Sequence, residues 1–162
     1  MFTSVKRISL LVVVLAMVVG NLSLAPNMAL AATTVNPASG GTGISVDTFG
    51  GTFKALNGPS FNAENGDIEI GTHTITLPDG WEFDTDSTIT ISAFNDIVIA
   101  DTTVQPTANS FSFEITSEST SAGSIGFSGL KVRPIVTDLS NEGNMTYSGA
   151  GIIGVTPGGG GY

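Results

Sequence analysis

The sequence predicts an all-β fold, an antiparallel two-sheet β-sandwich of about 7 to 9 short strands. Three observations point there. Beyond Ala32 the apolar residues recur with a period of two, and Val, Ile, Thr and Phe dominate the runs. Gly, Asn, Asp, Pro and Ser gather between those runs, where turns need them. No stretch after residue 31 keeps a helical period of apolar residues.

The chain opens with Lys6 and Arg7 ahead of an apolar run from Ile8 to Gly20, then a more polar stretch closing on Ala29-Leu30-Ala31. That three-part order is the grammar of a secretory signal peptide. The apolar run, about 13 residues, is short of the roughly 18 needed for a permanent membrane span. Residues 1–31 therefore read as a leader cleaved after Ala31, with no membrane association afterwards. Residues 32–155 read as one β-sandwich domain, of a length usual for a single core. The chain has no cysteine, which excludes a lipid-anchored cysteine and disulfides, so packing alone must hold the exported domain together.

The first candidate strands are Ile44–Thr48 and Thr52–Leu56, with Gly50-Gly51 turning between them. A turn-rich stretch, NGPSFNAENGD, follows. In Ile68–Leu77 the apolar positions change parity: Ile68 and Ile70 share one face, Ile75 and Leu77 the other. A bulge at Gly71 would turn both sets inward. The same device recurs where Ile125 and Phe127 give way to Leu130 and Val132 across Ser128-Gly129. Between these lie Thr88–Ala93, Ile97–Val104 and Ser110–Thr116, and a last run, Met145–Val155, is interrupted by Gly149 and Gly151. Residues 156–162, PGGGGY after Thr156 included, read as a flexible linker or tail.

The formal net charge is −9, and losing Lys6 and Arg7 with the leader makes it two units more negative, with Lys54, Lys131 and Arg133 the remaining cations. Such a surface repels phosphate backbones and anionic lipid heads, which argues against nucleic-acid binding.

Within PDGWEFDTDST, Pro78-Asp79-Gly80 has the composition of a tight turn. Trp81 and Phe83 then alternate inward while Glu82 and Asp84 face water. Asp84 and Asp86 are the calcium candidates, because alternating carboxylates can converge on one ion. The EF-hand pattern then fails: Ile89 stands at the sixth position, which needs Gly, and Asn95 at the twelfth, which needs a bidentate Glu. A site shared with the loop carrying Glu64 and Asp67 is the remaining way to bind calcium. His73 is the single histidine. Without Cys it cannot build an ordinary zinc site, and mid-strand it reads as a packed or half-exposed strand residue and not as a catalytic base. No cofactor other than calcium is indicated, and no enzyme activity.

Three phrases carry a resemblance: NPASGGTGISVDTFGGTFKALNGP (36–59), GDIEIGTHTITLPDGWEFDTDSTITI (66–91) and ITSESTSAGSIGFSGLKVRP (115–134). Together they resemble the Ig-like, cohesin-like β-sandwich modules of large secreted and cell-surface bacterial proteins. The resemblance implies an extracellular module used as a spacer, an assembly unit or an adhesive surface, with other surface modules or an extracellular glycan or protein as partners. It transfers no functional residue. A calcium-assisted carbohydrate-binding module is a second expectation, for which Trp81, Tyr147 and Tyr162 are the rings available besides the phenylalanines. A fibre subunit that self-assembles by donating a strand is a third.

Overall fold

The computed structural model describes residues 33–40, 50–118, 120–136, 144–152 and 155. The chain divides into two units, Met1–Leu30 and Ala31–Tyr162, and all described residues lie in the second. The expected leader, the strand expected at Ile44–Thr48 and the glycine tail fall outside the described residues.

Among the described residues the fold is all-β, without helix, in thirteen strands: β1 Thr34–Asn36, β2 Ser39–Gly40, β3 Lys54–Asn57, β4 Ser60–Ala63, β5 Gly71–Thr76, β6 Trp81–Phe83, β7 Ile89–Phe94, β8 Val98–Ile99, β9 Thr103–Val104, β10 Ser110–Ser117, β11 Gly123–Ser128, β12 Lys131–Pro134 and β13 Thr146–Gly149. They form three antiparallel sheets, ordered β1-β4-β11-β7-β9, β13-β5-β10-β8 and β2-β3-β12-β6.

Two of these sheets run into each other. Gly123 faces Ala63, Gly126 faces Ser60 and Lys131 faces Ala55, so the β3–β4 and β11–β12 ladders keep one register with no residue inserted. The bond from Leu56 N–H to Leu130 O, 2.9 Å, spans the join. β1 and β2 likewise keep one register along the edge, from Thr34 opposite Asn62 to Gly40 opposite Leu56. On the other flank the register slips: Ser128 faces Thr90, but Val132 faces Phe83. The additional residues lie in the Asp84–Thr88 turn between β6 and β7.

The expected count of strands was therefore too low. Four long strands are each interrupted once, at residues 37–38, 58–59, 84–88 and 129–130, and counting each as one bent strand brings thirteen to nine. Ile97–Val104 needs a different correction, because β8 and β9 join different sheets and the chain crosses between them. Gly129 makes one bend possible. It has φ +81°, and a Cβ there would stand 2.5 Å from the Thr88 carbonyl oxygen.

At Ser128-Gly129 both sets face inward as expected, with Ile125, Phe127, Leu130 and Val132 all buried, but through a bend at Gly129 and not the expected bulge, since no residue is inserted against β3 and β4. The parity shift at Gly71 works only in part. Gly71 has φ +137° and Ile68, Ile75 and Leu77 are buried, but Ile70 is 55 % exposed. Ile68 reaches the core through an isolated bridge to Ile152, which leaves Ile70 on the outer side.

The core is rich in phenylalanine. Phe61, Phe111 and Phe113 surround Phe127 with ring centroids 6.1, 5.3 and 5.2 Å away. Burying each such ring contributes about 1.5–3 kcal/mol. No helix among the described residues is long and apolar enough to cross a membrane.

Candidate functional site

The acidic stretch resolves into local structure. Pro78–Gly80 turns the chain, with Gly80 at φ +87°. Phe83 enters the core, while Trp81 packs partly buried against it. Glu82 faces Arg133 across the β6–β12 ladder and pairs with its guanidinium, which also lies 4.3 Å from the Phe53 ring centroid.

Asp84 closes the β6–β7 turn. Its Oδ1 accepts from the Asp86 N–H at 3.2 Å, and its carbonyl accepts from the Ser87 N–H at 3.0 Å and the Ser87 hydroxyl at 2.7 Å. Lys131 Nζ sits 3.5 Å from Oδ2. Asp86 is exposed. Asp67 is buried and caps a different turn, its Oδ2 accepting from the Glu64 N–H at 3.0 Å. Among the described residues no group of three or more His, Cys, Asp or Glu converges, so the two acidic loops are not brought together.

These contacts give Asp84 a structural task. Asp84→Ala is expected to cost about 1 kcal/mol, mostly through the turn, since an exposed pair such as Lys131–Asp84 contributes little. Asp86→Ala is expected within about 0.5 kcal/mol of the parent in urea unfolding. The same reasoning predicts a thermal midpoint that calcium and chelator leave unchanged. A rise of about 10 °C with calcium would instead assign Asp84 and Asp86 to an ion.

His73, read from sequence as packed or half exposed, is fully buried, in a network that the sequence did not indicate. Its Nε2 lies 2.9 Å from the Glu69 carbonyl, which can only accept, so Nε2 carries the proton. Nδ1 lies 2.7 Å from the Tyr147 hydroxyl, whose single proton is shared between Nδ1 and the Ala150 carbonyl. Phe113 stacks on the imidazole at 5.2 Å and 16°. Desolvation lowers the His73 pKa below 6.5, against the raising influence of the Glu69 carbonyl and carboxylate. Tyr147, a ring considered for sugar stacking, is thus fully buried and unavailable. Tyr162 lies outside the described residues.

What the described residues do present to solvent is the outer face of the five-stranded sheet. Along β4, β7 and β11 the inward positions are Phe61, Ala63, Ile89, Ile91, Ile125 and Phe127, all buried. The alternate positions form lateral rows set by the register: Thr34, Asn62, Ser124 and Phe94 in one, Asn36, Ser60, Gly126 and Ser92 in the next. None of the five strands contains a charged residue. The three cations of the expected mature chain lie instead in β3 and β12.

At one end of this face lies a depression of about 320 Å³, lined by Thr34, Asn62, Ala63, Glu64, Asn95, Ala122, Gly123 and Ser124. Asn95 has φ +63°, the one non-glycine positive φ among the described residues, and its Nδ2 donates to the Ala122 carbonyl. Phe94 is 60 % exposed beside it. The sequence puts Asn62 and Glu64 in a turn-rich stretch, whereas the structure has strand β4 at Ser60–Ala63. Nor does the sequence show the cross-strand register that gathers the lining residues, because that pairing joins β1, β4, β7 and β11 from distant parts of the chain.

No protein-family model, no curated protein and no solved structure matches this chain.

Proposed function

We infer that the chain is an exported structural or adhesive module, an Ig-like two-sheet β-sandwich of a bacterial surface or extracellular protein, without catalytic activity. The observation that carries this reading is the uncharged outer face of the five-stranded sheet in a strongly acidic chain. A face of hydroxyls and amides neither repels a neutral partner nor needs counterions to be displaced when one docks. The leader grammar of residues 1–31 supports display of that face outside the cell. Other surface modules, or an extracellular glycan or protein, are the partners it suits.

Labelling of intact producing cells with a membrane-impermeant amine reagent tests the reading. Lys131, whose side chain is 49 % exposed, is expected to react before the cells are broken. Reaction only after lysis would rule out surface display.

A second reading, a strand-donating subunit, draws support from the edge formed by residues 34–40. That edge keeps one register along β3 and β4 and anchors chiefly through Val35 and Ala38, both only partly buried. Exchange of this strand between copies would give concentration-dependent oligomers in light scattering, and a monomer at every concentration would exclude it.

A further inference from the structure

We propose that the depression bounded by Asn62, Glu64, Asn95 and Ser124, with Phe94 beside it, is a binding site for a neutral saccharide. The inference rests on the adhesive reading and deepens it by naming the ligand class.

The chemistry of the lining selects the ligand. Asn62 offers an amide that both donates and accepts, Thr34 and Ser124 offer hydroxyls, and Glu64 offers a carboxylate that accepts only. No hydrogen bond within the described protein uses the side chains of Asn62, Ser124, Thr34 or Glu64, so their capacity is available to a ligand. Asn95 spends its Nδ2 on the Ala122 carbonyl, which fixes the amide plane at the rim. Sugar hydroxyls donate and accept at once, and they match a mixed set of this kind.

Phe94 supplies the other half of saccharide recognition. It is the most exposed large apolar side chain among the described residues, at 60 %, and it shares a lateral row with Ser124 and Asn62. The C–H face of a pyranose packs on such a ring while its equatorial hydroxyls reach the amides, a division between apolar and polar contacts usual in ligand sites. A volume near 320 Å³ is at the small end for ligand pockets, which fits one or two sugar rings.

Other ligand classes fit less well. The lining has no cation, and Glu64 together with the acidic chain repels phosphate and sulfate groups. One carboxylate is too few for a divalent ion. An apolar ligand would strand the free amides and hydroxyls.

The test is a titration of the purified, isotope-labelled protein followed by amide NMR, with cellotetraose, chitotetraose, mannotetraose and xylotetraose as probes. At least one probe is expected to give saturable shifts, at a Kd of about millimolar, in the side-chain amides of Asn62 and Asn95 and the backbone of their strands. Phe94→Ala and Asn62→Ala are each expected to weaken that binding about tenfold with unchanged melting. Val98→Ala, exposed on the sheet of β5 and β10, is expected to leave it intact. No saturable shift with any probe, shifts confined to another face, or affinity equal to the parent's in both site variants would overturn the proposal. The surface-labelling result is independent of these spectra, so a failed site and a failed export reading are distinguishable.

Discussion

Gly129→Val is expected to lower stability by about 4 kcal/mol, which moves the thermal midpoint down by roughly 10–20 °C. The cause is local and steric. At φ +81° a β-branched residue is strained whatever surrounds it. Here the added Cβ also lies 2.5 Å from the Thr88 carbonyl oxygen, a backbone atom at the start of β7 that cannot swing aside as a side chain would. Relief requires β11–β12 to straighten or β7 to withdraw, and either motion disturbs Phe127 and Leu130 on the two sides of the bend.

Gly126→Ala is the internal control. Gly126 lies on the same strand, and nothing comes within 4 Å of the site of its Cβ. That substitution is expected within about 1 kcal/mol of the parent, on the stabilising side if the lost freedom of the unfolded chain dominates. Equal melting of the parent and Gly129→Val would show that the bend does not depend on glycine.

The second large effect concerns His73. His73→Ala is expected to cost about 3 kcal/mol, from the cavity beneath Phe113 and the Glu69 carbonyl left without its donor. Tyr147→Phe, which keeps the ring and removes the hydroxyl that links Nδ1 to the Ala150 carbonyl, is expected to cost about 1–3 kcal/mol.

The pH dependence follows from the direction of the His73 shift. Its folded pKa lies below the unfolded value of 6.5, so the unfolded chain binds the proton first as pH falls. Stability is therefore full above that value and declines as pH drops through the lowered folded pKa. In His73→Gln this part of the slope is expected to vanish between about pH 5 and 7, before most carboxylates titrate. A parent whose urea midpoint is flat across that range, or a variant with the same slope, would contradict the neutral buried imidazole.

Much of the fold was legible because burial imposes a period of two on a strand with one wet face. The runs in β7, β10 and β11 have that period, and their inward residues Ile89, Ile91, Phe111, Phe113, Ile115, Ile125 and Phe127 are the buried ones. Gly129 was legible as a bend because the apolar parity changes across it. Ile70 was misread because parity alone does not say whether the chain before a bulge stays in the sheet. Here it leaves by way of the Ile68–Ile152 bridge.

The His73–Tyr147 pair is 74 residues apart in the chain, and nothing local to either residue marks the other. The candidate saccharide site has the same character. Phe94, Asn62 and Ser124 are unremarkable in sequence and become neighbours only through the register of β4, β11 and β7. Asp84 and Asp86 were conspicuous in sequence because they are acidic and close together. The turn they build accounts for their spacing without an ion.

Export is the claim on which the functional account depends, and the intact mass of the protein recovered from the producing cells and their medium tests it most directly. The account predicts a chain that begins at Ala32 and is found at the cell surface or in the medium. A chain that retains Lys6 and Arg7 and stays inside the cell would contradict it, and would leave the uncharged face without the extracellular partners proposed for it.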